Sequence, residues 1–207
     1  MSGVIEKVVS EIIAEGHTPA VLGGEHTISY ATFKAAPKDS ALIIFDAHAD
    51  LRDEFANVKF SHTTWLRRLI EDGSDRNIIH IGLRATTRKE ILYLTQKKIK
   101  TIPTKTILTT DKSEKILEDN LKDCKSVYVS VDMDVLDPAY APGVANPEAS
   151  GISTSKLLEF LYVLKGKKIC GFDLVEVTPL YDNGISAIVA AKIMVELTCL
   201  SHLGKKK

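Results

Sequence analysis

Residues 41–51 read ALIIFDAHADL, five apolar residues in an unbroken run followed by Asp46, His48 and Asp50, each separated from the next by one alanine. A strand with no polar alternation is buried on both faces, and strands of that kind belong to parallel sheets covered by helices above and below. In extended chain, residues i, i+2 and i+4 point to one side. The spacing therefore predicts two carboxylates and an imidazole aimed at a common point. Burying such a cluster without compensating positive charge is very costly, so a cation is expected there.

The same design recurs at residues 127–134, VYVSVDMD, where valines interleave with Tyr128 and Ser130 before Asp132 and Asp134. Four further strand-like runs can be read: TPAVLGG, NIIHIGL, IKTIPT and KKICGFDLVEV. Between them lie helical patterns, among them HTISYATFKAA, SHTTWLRRLIEDG, RKEILYLTQKK, KSEKILEDNLKD and STSKLLEFLYVLKG. About six strands alternating with helices predict an α/β fold with a mostly parallel sheet and helices on both faces. No linker divides the chain and no repeat is visible, so residues 1–207 are expected to form a single domain. In such sheets ligands bind beyond the carboxyl ends of the strands. Glu25 and His26, Asp46 to Asp50, Asp132 and Asp134, and Glu176 all fall at such ends.

The formal net charge is zero, which gives no electrostatic reason to expect a nucleic acid or a membrane as partner. The three cysteines form no CxxC pair, which points to reduced thiols and a cytoplasmic setting. The first sixteen residues alternate apolar pairs with charges and lack the pattern of a signal peptide. The apolar stretch ISAIVAAKIMVELTCL is interrupted by Lys192 and Glu196 and suits a buried helix better than a membrane span.

Adding His26 from GGEHT gives four aspartates and two histidines at three strand ends. Oxygen-rich donors with some imidazole favour manganese over thiolate-bound metals. Four carboxylates would balance two divalent ions, and paired ions acidify a shared water, as hydrolases require. His80, inside NIIHIGL, reads as a satisfied core residue, while His17 and His202 read as surface positions. VLGGEH makes no phosphate-binding glycine loop.

GGEHT, FDAHADL, SVDMDVLDPAYAPG and DLVEVTP, in that order, resemble the successive signatures of the ureohydrolases, the family of arginases and agmatinases. The resemblance implies two Mn²⁺ ions, one held by His26, Asp46, Asp50 and Asp132, the other by Asp46, His48, Asp132 and Asp134. It implies hydrolysis of a guanidino compound to urea and an amine by a homo-oligomer, a trimer or hexamer. FSHTTWLRR resembles the agmatinase segment that carries a mobile histidine, which makes His62 the candidate proton carrier. Glu176 would face the substrate guanidinium, whose planar fork suits a carboxylate.

LRDEFANVKFSH follows the metal-binding motif in place of the polar, asparagine-containing stretch of arginases. It resembles microbial agmatinases, so agmatine is the expected substrate, with Asp53 or Glu54 drawing its distal ammonium. Arginine, guanidinobutyrate and formiminoglutamate are the alternatives. The loop APGVANPEASG departs from the family pattern at Asn146, Ala149 and Ser150. The family's earlier strand and helix elements have no counterpart before the first helix, so AVLGG is expected at an open sheet edge. That departure also raises a rival of another class, a metal-binding scaffold or regulatory paralogue without full activity.

Overall fold

A computed structural model describes residues 2–74 and 77–204. Six parallel strands form one sheet: β1 (Ala20–Leu22), β2 (Ser40–Phe45), β3 (Ile78–Ile81), β4 (Lys100–Ile102), β5 (Ser126–Asp132) and β6 (Lys168–Val175). Their order across the sheet is β1-β6-β5-β2-β3-β4. The chain builds outward from β2 to β4, then returns to lay β5 on the other side of β2. The junction of β2 and β5 is thus the topological switch point, where an open α/β sheet leaves a crevice at its carboxyl end.

Among the described residues, eight helices cover the sheet: α1 (Ser2–Ala14), α2 (Ile28–Lys34), α3 (Trp65–Glu71), α4 (Arg88–Gln96), α5 (Thr104–Thr109), α6 (Ser113–Asn120), α7 (Thr154–Tyr162) and α8 (Ile185–Leu203). Alternate residues of β2 serve the two faces. Ile43 and Phe45 join a core that includes Leu117, Phe160 and Leu197, while Leu42 and Ile44 pack with Phe33, Trp65 and Leu69. Every residue of β2, β3 and β5 is buried. The unalternating apolar runs are therefore matched by strands covered on both sides, as expected for the α/β class.

β1 lies at the sheet edge, pairs among the described residues only with β6, and leaves Leu22 67% exposed. The open edge expected for AVLGG is present. α8 is long and apolar enough to cross a membrane by composition; here it packs on β6 and α7, burying Ile193, Leu197 and Leu200. His80 is buried as expected, but neither ring nitrogen has a hydrogen-bond partner among the described residues. It is a core residue without being a satisfied one, and burial pushes its pKa down toward the neutral form.

Two segments differ from the expected limits. α2 begins at Ile28 and α3 at Trp65, so His26 and His62 stand in the turns before these helices and not within them. The short α5, Thr104–Thr109, follows Pro103 directly and was not legible as a helix.

Candidate metal centre

β1 runs into Gly23 and Gly24, whose φ values of 95° and 72° turn the chain sharply and deliver His26 to the sheet's carboxyl end. His26 is 1% exposed, and its Nδ1 faces Asp46 Oδ2 at 3.1 Å, Asp132 Oδ2 at 3.2 Å and Asp50 Oδ2 at 3.3 Å. His48 Nδ1 lies 2.8 Å from Asp134 Oδ2 and 3.7 Å from Asp46 Oδ1. All six residues singled out by the sequence meet here. Two three-donor groups, His26–Asp46–Asp132 and Asp46–His48–Asp134, share Asp46.

The convergence is not produced by strand pleating. β2 stops at Phe45, Asp50 adopts φ 52°, and Asp134 sits in a 3₁₀ turn, Met133–Val135. The spacing of two has another cause. Asp46 Oδ1 accepts from the His48 backbone N–H at 2.6 Å, and Asp132 Oδ1 accepts from the Asp134 N–H at 2.8 Å. These are Asx turns, in which a carboxylate caps the amide two residues on. Asp134 Oδ1 accepts in turn from the Ala47 N–H at 3.1 Å. Each of these carboxylates thus spends one oxygen on the backbone and turns the other toward an imidazole.

Burial and mutual repulsion raise the pKa of Asp132 and Asp134 and push Asp50 up to about 7. Asp46 lies below the usual carboxylate range, because His26 and His48 outweigh its burial. Burial alone would lower both histidines, yet the surrounding carboxylates raise them, His48 to about 11. The cluster therefore balances its charge with protons when no cation is present. His26 Nδ1 and Asp46 Oδ2 are fully buried and have no hydrogen-bond partner among the described residues, although they face each other. Donors about 2.1 Å from one ion in octahedral array lie roughly 3 Å apart, close to the spacings around His26 Nδ1. The donor set fits a divalent cation.

An outer layer holds these groups, and sequence reasoning missed most of it. His26 Nε2 is 3.0 Å from Ser130 Oγ, which donates at 2.6 Å to Asp173. Asp173, 0% exposed within β6, also accepts from Ser29, Thr32 and Tyr128. A carboxylate inside the apolar run GFDLV was the available signal. Trp65 Nε1 donates to Asp50 Oδ2 at 2.7 Å. Arg84 spreads its guanidinium over the carbonyls of Gly82, Asp134, Val135, Leu136, Glu148 and Ala149, and so ties the end of β3 to the Met133–Val135 turn and to the 148–149 loop.

A cleft of about 440 Å³ opens over the cluster, within the range of small-molecule sites. Its wall includes His62, Glu176, Glu25, Arg52, Phe55 and Asn146. Glu176 adopts φ 64°, and its Oε1 accepts from the His26 N–H at 2.7 Å, while burial raises its pKa. His62 Nδ1 meets Glu25 Oε2 at 3.1 Å. Neither Asp53 nor Glu54, the acids expected to draw a substrate ammonium, is among the residues lining the cleft. Asp53 is engaged by Arg68 at 2.8 Å, Glu54 is exposed, and the cleft wall at this point is Arg52 and Phe55.

The sequence matches the profile of the arginase family over residues 2–199. The chain belongs to the arginase family. It is 37% identical to the agmatinase of Halalkalibacterium halodurans, covering 93% of this chain and 66% of that protein. It is 34% identical to the human mitochondrial guanidino acid hydrolase, covering 94% of this chain and 58% of that protein. Among solved structures, the agmatine ureohydrolase of Thermoplasma volcanium superposes with a TM-score of 0.90 at 33% identity, covering 99% of this chain and 69% of that one. The chain thus spans about two thirds or less of the length of these arginase-family relatives.

Proposed function

We propose that the chain is a dimanganese ureohydrolase that cleaves a guanidino compound to urea and an amine. The observation that carries the reading is the pair of donor groups sharing Asp46, with unpartnered His26 Nδ1 and Asp46 Oδ2 at their centre. His26, Asp46, Asp50 and Asp132 would hold one ion; Asp46, His48, Asp132 and Asp134 would hold the other. When bound, such ions lower the pKa of water and offset negative charge that develops as the guanidinium carbon is attacked.

The chain's own groups supply the rest. Glu176 Oε1 is occupied by the His26 amide, which leaves Oε2 to accept guanidinium N–H groups and orient the reacting carbon. His62, on the cleft wall, gives a proton to the departing nitrogen, so that R–NH–C(NH₂)₂⁺ and water become R–NH₃⁺ and urea. Agmatine is the first substrate to test, on the strength of the agmatinases among the relatives. Arg52 favours a second reading, because a cation on the cleft wall suits a guanidino acid with a tail carboxylate. Urea release from agmatine, arginine and guanidinobutyrate at equal concentration separates the two readings. A cytoplasmic homo-oligomer completes the proposal, supported by exposed Leu180, Ile188 and Val195 on and beside the outer face of α8.

The decisive experiment changes Asp132→Ala and measures bound manganese and urea release on the same sample. The expected result is loss of metal together with loss of turnover to below detection. Two retained ions with full activity would overturn the assignment, as would a manganese-loaded wild-type protein that releases no urea from any guanidino compound.

A further inference from the structure

Three consecutive residues, Gly24, Glu25 and His26, bond to two residues of the cleft wall, Glu176 and His62. Gly24 O accepts from the Glu176 N–H at 3.0 Å, and the His26 N–H returns a bond to the Glu176 carboxylate. Between them, Glu25 directs its side chain the other way, to His62, with Oε2 3.1 Å from Nδ1. Its second oxygen, Oε1, accepts from Thr27 Oγ1 at 2.8 Å, which fixes the plane of the carboxylate. Phe55 stands edge-on to the imidazole, with ring centres 6.1 Å apart. His62 is thus gripped on one nitrogen and flanked by a ring, and both Glu25 and His62 line the cleft.

An ionised carboxylate only accepts hydrogen bonds, so the ring nitrogen facing Glu25 must carry the hydrogen. We infer that Glu25 is a positioning residue for His62. It holds the imidazole in the Nδ1–H tautomer and leaves Nε2 as the nitrogen that exchanges a proton with a molecule in the cleft. Carboxylates paired with functional histidines fix tautomer and ring orientation in this way. The inference rests on the proposed role of His62, and it adds a reason for GGEHT to carry an acid before its metal-ligating histidine. Glu25 ties the turn that delivers His26 to the residue that handles the leaving nitrogen.

Two readouts test it, kinetics on the manganese-loaded protein and nitrogen spectra on the protein loaded with a diamagnetic ion. The first is a double-mutant cycle on kcat with Glu25→Gln and His62→Asn. Glu25→Gln alone should lower kcat by about tenfold to a hundredfold, with KM changed less than kcat and two ions retained. In the His62→Asn background the same change should cost less than about twofold, since a residue acting only through His62 has nothing left to position. An equal cost in both backgrounds would overturn the inference. The second readout needs no turnover. Ring ¹⁵N chemical shifts of the protein loaded with diamagnetic Mg²⁺, with His62 assigned by its loss in His62→Asn, should report the Nδ1–H tautomer in the wild type and a mixed population in Glu25→Gln. An unchanged tautomer in the variant would also overturn the inference. A His62→Asn protein with wild-type turnover refutes the catalytic reading of His62 instead, and the nitrogen spectra then decide the pairing by themselves.

Discussion

Replacing Asp173 by Asn changes one oxygen to an amide group in the interior, and its cost can be worked out from the hydrogen bonds. Ser29 and Ser130 donate to Oδ1 at 3.0 and 2.6 Å, and Thr32 and Tyr128 donate to Oδ2 at 2.9 and 2.8 Å. An asparagine keeps one acceptor oxygen and presents two N–H donors on its other side. If the oxygen faces the serines, Thr32 can turn to the Ser29 carbonyl, 3.3 Å away. Tyr128 is then left with its O–H against an N–H. One orphaned buried hydroxyl costs about 1–3 kcal/mol, and weakening the remaining charge-assisted bonds adds about 1 kcal/mol. Relief from burying a charge offsets part of this, which leaves a net loss of about 2–3 kcal/mol. If the amide faces the serines instead, the hydrogen of Ser130 loses its acceptor, and the support of His26 Nε2 is disturbed. Urea unfolding of the chelator-treated protein measures the stability term, and metal titration measures the effect on His26, expected at about tenfold weaker binding. Asp173→Asn unfolding within about 0.5 kcal/mol of wild type, with unchanged metal affinity, would refute the hub. Tyr128→Phe, which removes one donor and leaves the other three, should cost about 1–2 kcal/mol.

Arg84→Lys replaces a planar fork that reaches six carbonyls with a single ammonium carrying three donors. A loss of about 2 kcal/mol is expected, a fall in Tm of roughly 4–8 °C for a chain of this size, and a Tm within about 1 °C of wild type would contradict the stapling role. Metal affinity should rise with pH. His26, His48 and Asp50 hold protons above their ordinary pKa values in the metal-free cluster, Asp50 near 7 and His48 near 11. Binding must displace those protons, so each unit between pH 6 and 8 should strengthen binding by about tenfold per proton released, and calorimetry in buffers of different ionisation enthalpy counts them. Affinity that stays flat across this range would contradict the charge balance described for the cluster.

Residues 41–45 announced their burial by sequence alone, because an apolar run without alternation has only one stable setting, between two helical layers. The six residues that converge were equally legible, since ionisable groups at strand ends are costly unless they share a purpose. The reason for their spacing was not. It looked like pleat geometry, and it is the reach of an aspartate to the amide two residues on, seen at Asp46–His48 and Asp132–Asp134. Asp53 and Glu54 illustrate another limit: charge near a motif predicts attraction, but Arg68 claims Asp53 first, and Glu54 faces solvent.

The sequence by itself determined which residues are buried in strands and which six donors gather at their ends, because burial pattern and charge are local properties of the chain. The tertiary structure alone decided how those donors are held. Ser130 answers to Asp173 forty-three positions away, Asp134 to Arg84 fifty away, and Glu25 to His62 thirty-seven away. Such pairings depend on strand order and on turns that swing side chains out of register, and neither is encoded in any single window of residues.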